Sequence, residues 1–376
     1  MLTRICRCGP VAGLALLSGA LGAQSPGYPS PNYEVTDSVV VGHVDGHLFT
    51  LDVVNRRLYG SGNAVVDVDG LKVVSHVADS TPGESYLVAA ETDRGITSNG
   101  DVFGLGSGAM GQHVAAHVKG LAYDPVTRRA FLLGDTVTVL ALAPLYPDMQ
   151  MTRRQQGTGG GGGGGGGNGG YGGGYGGGMN GQVVPGGSDT ARRNRAPAVR
   201  LTATLVGTFS LPGAAGWGVT DGRGQIYIAL TSRDSLAIVD AQKLKVESIA
   251  GLSSCRAPTS LAIDNLNHRL FAACDGQIVV FATDRDHVTG VVDVPGHADQ
   301  IAFSSGGGLL FVPGGDHGLS VLHRDSPDTY RIVQTVTDPR VLGANAVVFD
   351  PTTHRLFVPH RTADGVFTYY ILSRPL

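Results

Sequence analysis

The stretch FDPTTHRLF at residues 349–357 recurs along the chain, and its copies decide the fold. Close copies are YDPVTRRAF at 123–131, IDNLNHRLF at 263–271 and LDVVNRRLY at 51–59. In each copy a strand runs into a tight turn that starts with Asp or Asp-Pro and contains Asn or Thr, and a second strand returns. The copies therefore predict a repeated β-hairpin.

Three weaker copies complete a set of seven: TDRG at 92–95, TDGRG at 220–224 and SSGGG at 304–308. Equivalent positions in the seven copies are Arg57, Arg94, Arg129, Gly224, Arg269, Gly308 and Arg355. Five of the six steps between them are 35 to 47 residues long, which matches or falls slightly below the blade period of about 40 to 50 residues. The remaining step, 95 residues, contains an insertion.

Further β-rich runs follow each hairpin. Alternating residues at 235–240 and 277–281 predict a third strand, and residues 245–249 predict a fourth. Four strands per repeat make one propeller blade. The predicted fold is therefore all-β, a seven-bladed β-propeller of four-stranded antiparallel blades. Residues 101–118 lack the usual pattern of a third strand, so the second blade is the least regular.

The order of these elements resembles the YVTN-repeat propellers, and more closely their exported, YncE-like branch. The resemblance covers about residues 33–376 apart from the insertion. Its matching stretches are RGITSNG at 94–100, PTSLAID at 258–264 with RLF at 269–271 and Cys274, and DSPD at 325–328 through VQTV at 333–336. It implies a seven-bladed propeller with a general binding role. It implies no reaction, because the family has no shared catalytic motif.

The N-terminus is typical of a secretory signal peptide over residues 1–23. Arg4 and Arg7 supply the positive region, and residues 11–23 are apolar, end in small side chains and are too short to span a bilayer. Cys6 comes too early to be a lipoprotein anchor. We therefore expect a mature chain from residue 24 onward that is periplasmic or secreted, has no transmembrane segment and is monomeric.

Glycine dominates residues 157–178, which arginines flank on both sides. Such a segment cannot bury enough apolar surface to offset its ordering entropy, so we predict a disordered insertion at about 144–198. It falls between the third and fourth strands of one blade. The alternative is a tether to nucleic acid or the cell envelope, but the basic residues lie only at its ends.

Two cysteines remain after export, and they lie on either side of one hairpin. Cys255 precedes the first strand and Cys274 follows the second, so both reach the same end of the blade. An oxidising compartment favours a disulfide between them; two buried thiols are the alternative.

The sequence contains no complete motif for metal binding, cofactor binding or catalysis. His113 and His117 have a spacing that could bind a metal on a helix, but no Glu lies between them and a propeller would place them in strand and loop. The chain has no haem-attachment motif, nucleotide-binding glycine loop or nucleophile elbow. We predict no catalytic residues, no metal and no cofactor.

One face of the propeller is the better candidate for a site. Loops from the second to the third strand, and from the fourth strand to the next blade, open together around the channel mouth. They gather His113, His117, Trp217, Arg256, His297, Asp299, Asp316, His317, His360 and Arg361. Imidazole, guanidinium and carboxylate groups favour an anionic or zwitterionic ligand. The alternative is that these side chains only hydrate the opening.

Three function classes follow. The first is a non-enzymatic scaffold that binds a small molecule, a peptide or a cell-envelope partner at the mouth. The second is a lactonase-like hydrolase, which would need acids and histidines with perturbed pKa values converging in the channel. Single-stranded nucleic acid is the weakest partner, because the formal charge of −3 becomes about −5 once Arg4 and Arg7 are removed.

Excision of residues 157–178 is expected to leave the propeller intact, because the blade pairs its strands on either side of the insertion. Closure entropy changes slowly with loop length, so the free energy of unfolding should change by no more than about 1 kcal/mol. Urea titration of the shortened and full-length chains measures this difference. Loss of cooperative unfolding would show instead that the segment is structural.

Overall fold

The computed structural model describes residues 31–44, 46, 48–77, 85–114, 118–142 and 203–374. Within these ranges 28 strands form seven four-stranded antiparallel sheets, arranged in a ring. The all-β, seven-bladed propeller predicted from the repeats is confirmed. The predicted signal peptide at 1–23 and the insertion at about 144–198 lie outside the described residues.

Each of the first six blades uses four consecutive strands, from the channel outward. Blade 1 comprises β2 (Thr50–Asp52), β3 (Arg57–Tyr59), β4 (Ala64–Asp67) and β5 (Lys72–His76); blade 2 comprises β6 (Tyr86–Ala89), β7 (Arg94–Thr97), β8 (Asp101–Gly104) and β9 (Met110–His113); blade 3 comprises β10 (Gly120–Asp124), β11 (Arg129–Leu133), β12 (Thr136–Leu142) and β13 (Ala203–Ser210). Blade 4 comprises β14 (Ala215–Thr220), β15 (Gln225–Leu230), β16 (Ser235–Asp240) and β17 (Lys245–Gly251); blade 5 comprises β18 (Ser260–Asp264), β19 (Arg269–Cys274), β20 (Gln277–Ala282) and β21 (His287–Asp293); blade 6 comprises β22 (Ala302–Ser304), β23 (Leu309–Pro313), β24 (Leu319–Ser326) and β25 (Thr329–Val336). Two short 3₁₀ turns, Ser61–Asn63 and Ala90–Thr92, also occur. In the described part of the chain, no helix has the length and apolar character needed to cross a membrane.

Blade 7 closes the ring with both ends of the chain. Its three inner strands are β26 (Val348–Phe349), β27 (Leu356–Arg361) and β28 (Phe367–Ser373), and its outermost strand is β1 (Glu34–Gly42). Strand β1 pairs with β28 from Glu34 opposite Ser373 to Gly42 opposite Phe367. The first described strand is therefore held by the last one.

Burial changes from the middle of a blade to its outer edge. All six residues of β19 are buried, whereas the outermost strand β17 is mostly exposed. Middle strands are covered on both faces by neighbouring blades, which explains their continuous apolar runs. Outer strands face solvent and carry polar side chains.

The aromatic residue that ends each strong repeat fills the space between blades. Six second strands bury one aromatic ring against the next blade: Tyr59, Phe131, Tyr227, Phe271, Phe311 and Phe357. Blade 2 differs, because the ring of Phe103 on β8 lies over Gly95, and a Cβ atom at Gly95 would meet this ring at 2.1 Å. Although residues 101–118 lack the usual pattern, they form the third and fourth strands of the blade, β8 and β9.

The aspartate of the repeat is buried at the end of the innermost strand. Asp52, Asp124, Asp264 and Asp350 are each at most 1% exposed. The Asp264 carboxylate accepts hydrogen bonds from the backbone N–H of Leu266 and Asn267 and from the Asn267 side chain. These hydrogen bonds compensate the buried carboxylate for its lost hydration. They also stabilise the turn conformation, since Asp side chains favour hydrogen bonds to the backbone N–H groups that follow them.

Arginines from neighbouring blades reach two of these aspartates. Arg56 of blade 1 donates two hydrogen bonds to Asp350 of blade 7, at 2.8 and 2.7 Å. Arg324 of blade 6 donates to Asp264 of blade 5 at 2.6 Å. Burial alone would raise the pKa of Asp350, but the bonds from Arg56 and Thr353 outweigh it and hold that pKa below its ordinary value.

The two chain segments that flank the insertion face each other across blade 3. Strands β12 and β13 pair from Thr136 opposite Ser210 to Leu142 opposite Ala203. The chain therefore leaves and re-enters the blade at adjacent positions.

Cys255 and Cys274 form a disulfide, with Cα atoms 5.4 Å apart. Cys255 lies in the loop before β18 and Cys274 ends β19, and both are buried. The bridge ties the loop to the hairpin.

Reduction of this disulfide is expected to lower the melting temperature, because a disulfide typically stabilises the folded protein by about 2 to 4 kcal/mol. Thermal scans with and without reductant measure the shift, and a Cys255→Ala/Cys274→Ala variant should not respond to reductant. Two free thiols in an alkylation assay on protein isolated without reductant would contradict the pairing.

Replacing Arg56 by Ala is expected to destabilise the ring by about 3 kcal/mol, because it leaves Asp350 charged, buried and without its bidentate partner. Arg340→Ala is the matched control. It breaks a solvent-exposed pair with Asp338 and should change the free energy of unfolding far less than Arg56→Ala does. Urea titration at neutral pH measures both.

The pH dependence of the Arg56→Ala effect has a defined sign. In the intact chain the folded pKa of Asp350 is depressed, so its stabilisation is present above the unfolded value of about 3.9 and is lost as pH falls. Without Arg56, burial raises that pKa, and stability is lost as pH rises. The gap between the two proteins should therefore widen from pH 3 to pH 7; a constant gap would contradict this account.

Candidate functional site

The two faces of the propeller carry different loops. The Asp turns between first and second strands lie on one face, which we call the turn face. The loops at 294–301, 314–318, 337–347 and 362–366 lie on the opposite face, which we call the mouth face. Blades 5, 6 and 7 supply these four loops, and they meet beside the start of blade 1.

A pocket of about 280 Å³ lies among these loops on the mouth face. Three of the predicted site residues line it: Asp299, His360 and Arg361. The rest of the wall of this mouth pocket consists of Gly46, Gly343, Ala344, Asn345, Pro359 and Phe367. The structure therefore brings a carboxylate, an imidazole and a guanidinium group to one cavity.

Strand β27 positions the two basic side chains at its end. Nδ1 of His360 lies 3.1 Å from the carbonyl oxygen of Leu342, so this nitrogen carries a proton and donates it. Nε2 is then an acceptor in the neutral ring and a donor in the imidazolium. Arg361 donates to the carbonyl oxygen of Val44, which fixes the guanidinium at the pocket rim.

Asp299 is held on the other side of the pocket. Its backbone N–H donates to the Asn345 carbonyl at 2.7 Å, and the N–H of Gln300 donates to the same oxygen at 3.1 Å. The Asp299 carboxylate lies 3.1 Å from Nε2 of His297. His297 is thus joined to the mouth pocket through Asp299.

Two glycines let the mouth loops approach at backbone distance. A Cβ atom at Gly296 would meet the carbonyl oxygen of Gly314 at 2.2 Å, and one at Gly314 would meet that of Pro295 at 2.3 Å. Any larger side chain would push these loops apart. The short stretches VPG at 294–296 and 312–314 therefore serve to lock one loop against another.

Asp316 and His317 lie in the tight turn next to this contact. The turn is joined to the pocket wall by hydrogen bonds between Gly315 and the segment 343–344. Both side chains are exposed and neither lines the mouth pocket. They belong to the same face but to its rim.

The remaining predicted site residues are elsewhere. His113 ends the outermost strand of blade 2, where it lies 2.7 Å from Asp101. Arg256 is exposed in the loop that contains Cys255. Trp217 lies on β14 and lines the central channel, while His117 falls outside the described residues.

The channel wall was not predicted from the sequence. Each blade contributes one side chain to this wall. It belongs to the residue directly before the buried Asp or, in the blades that lack this Asp, to the residue at the equivalent position. We call these seven the channel collar: Leu51, Val88, Tyr123, Val219, Ile263, Phe303 and Phe349. The signal was available in six blades, where the collar residue starts its copy of the repeat or lies directly beside it, whereas Val88 lies four residues before Thr92.

The acids and histidines do not gather into a metal site in the part of the chain that the structure describes. No three His, Cys, Asp or Glu side chains there are arranged to hold an ion. His113 in particular pairs with a single carboxylate.

The comparisons with known proteins support the fold and no specific function. No family model matches the chain, and no curated protein matches it. One similar solved chain belongs to a structure titled "Crystal Structure of Mitotic Checkpoint Complex", with a TM-score of 0.61 and 12% identity over 98% of this chain and 98% of that one. Because 1476 solved chains match, the likeness selects no function. It supports a seven-bladed propeller scaffold.

Proposed function

We propose that this chain is an exported, non-enzymatic propeller scaffold of the YVTN-repeat kind that binds an anionic or zwitterionic ligand at the mouth pocket. The ligand is a small molecule, or an end of a peptide or cell-envelope partner. One observation carries the proposal: Asp299, His360 and Arg361 line the same cavity on the mouth face.

The chemistry of these three groups favours a ligand that has a carboxylate. A guanidinium binds a carboxylate through two parallel hydrogen bonds, and an imidazolium adds a second charged donor. Asp299 on the opposite side complements an ammonium group. Such an arrangement fits an amino acid or the terminus of a peptide better than a doubly charged anion.

The size of the cavity agrees with a small ligand. About 280 Å³ lies just below the usual range of about 300 to 1,000 Å³ for small-molecule sites, which favours a ligand of few atoms. The backbone contacts between the loops at 294–301, 314–318 and 337–347 favour a pre-formed pocket, which lowers the entropy lost on binding.

Two further features favour an exported binding role. The residues at 1–23 are typical of a signal peptide, and the repeat order resembles exported YVTN propellers. A similarly folded chain belongs to a structure whose title describes a complex, which supports the use of this scaffold for binding.

Combined substitution of His297, His317 and His360 by Ala is expected to reduce the occupancy of any co-purifying ligand at least tenfold. His360 lines the pocket, His297 orients Asp299 and His317 lies on the rim, whereas none of them is part of the inter-blade core. Mass spectrometry of the material released from protein isolated from the periplasm and medium measures occupancy. The melting curve should stay nearly unchanged.

The matched control replaces three histidines on the turn face, His268, His287 and His354, by Ala. This variant should keep the ligand. Loss of ligand in this control variant alone would place the binding site on the turn face and contradict the proposal. Recovery of a hydrolysed product with the intact chain, or of an oligonucleotide, would replace the scaffold proposal by a hydrolase or a nucleic-acid-binding function.

A further inference from the structure

The central channel is distinct from the mouth pocket and has different chemistry. Two cavities of about 340 and 290 Å³ lie along it, and both are lined by Thr50 and Trp217. The seven members of the channel collar are all half-buried, so they face open space rather than the closed core. Among the described residues, no Asp, Glu, Lys, Arg or His lines either cavity.

A second apolar tier lies two residues before the collar on the same strands or the loops that lead into them. Its members that line the two cavities are Phe49, Tyr86, Leu121, Trp217, Ile301 and Val347. Leu121 and Trp217 are half-buried like the collar and face the channel with it. Phe49, Tyr86, Ile301 and Val347 are almost fully buried and lie directly behind this surface.

Most polar side chains in this wall bond to the protein itself. The Thr50 hydroxyl donates to the Tyr86 carbonyl at 2.6 Å, and the Gln300 amide exchanges hydrogen bonds with the backbone of Phe49. The Thr220 hydroxyl donates to Asp124 at 3.3 Å. The Tyr86 and Tyr123 hydroxyls donate to the side chains of Asn63 and Glu91. The Ser85 hydroxyl and the indole N–H of Trp217 are the other two polar side-chain groups of the described residues in this wall.

We infer that the channel is a binding site for an uncharged, apolar small molecule. A charged ligand would lose its hydration and find no opposite charge in the wall. A polypeptide segment would bring one N–H and one C=O group per residue into a channel that offers them almost no partners. An apolar molecule needs none, and apolar cavities of this size bind such ligands.

The collar is also accessible from the turn face. Phe303 and Phe349 line a third cavity of about 520 Å³ together with Ser305, Pro351 and His354, which belong to the turns. A ligand can therefore reach the channel without passing the mouth pocket. The inference does not depend on the proposed function of that pocket.

Trp217 makes the inference directly testable, because it is the single Trp of the chain and lines both cavities. N-phenyl-1-naphthylamine is uncharged and accepts excitation energy from a nearby indole. We expect saturable binding of one dye molecule per chain, with quenching of Trp217 emission and sensitised dye emission. The sulfonated analogue 8-anilinonaphthalene-1-sulfonate should bind at least tenfold more weakly.

Leu121→Glu places a carboxylate in the channel wall and should weaken binding of the uncharged dye at least tenfold. Leu205→Glu is the matched control, because Leu205 lies on the outermost strand of blade 3 with 61% of its surface exposed. It should leave the affinity within twofold, as should the triple histidine variant of the mouth.

Three results would overturn the inference: equal or tighter binding of the sulfonated dye, an unchanged affinity in folded Leu121→Glu, or complete displacement of the uncharged dye by a blocked apolar tripeptide. The comparison of the two dyes uses the unaltered chain. It therefore decides the question even if Leu121→Glu does not fold.

Discussion

The structure depends on a charge that is buried at the end of the innermost strands. An aspartate there would cost several kcal/mol if it were left unpaired, and each of the four buried aspartates of the repeat accepts hydrogen bonds from donors in its own turn. Backbone N–H groups of the turn satisfy Asp264 from its own blade, and Arg324 satisfies it from the next. Asp350 and Arg56 repeat the arrangement where the ring closes. One carboxylate thus sets the local turn and the spacing of neighbouring blades.

This dual role explains which parts of the molecule could be predicted from the sequence. Turn chemistry and the buried aromatic are local and repeat in each blade, so seven copies predict seven blades even where residues 101–118 depart from the pattern. The mouth loops are not repeats. That Asp299, His360 and Arg361 share a cavity depends on backbone contacts such as that between Gly296 and Gly314, which spacing along the chain does not encode. His113 and Arg256 satisfy the same loop rule and still lie outside that pocket.

The two candidate sites differ in polarity: charged side chains line the mouth pocket, whereas apolar and aromatic side chains line most of the channel. Irregular loops supply charge at the mouth, where solvent and backbone carbonyls can hold a guanidinium in place. Regular strands supply the channel wall, where an apolar or aromatic residue precedes the buried Asp in four blades and the residue that replaces this Asp in the other three. The repeat that builds the core thereby also determines the polarity of the channel, whereas the mouth can change without altering the blades.

The pairing of β1 with β28 imposes an order on folding. Thr36 and Ser373, which bond across this edge, are 337 residues apart in the chain. Of the described strands β1 is made first and β28 last, so β1 has no partner until the strands of the six blades between them have been made. Exposed edges of this kind invite pairing with other chains, and the charged residues Glu34 and Asp37 on β1 oppose it. Closure of the ring is therefore a late step that joins the first and the last of the described strands.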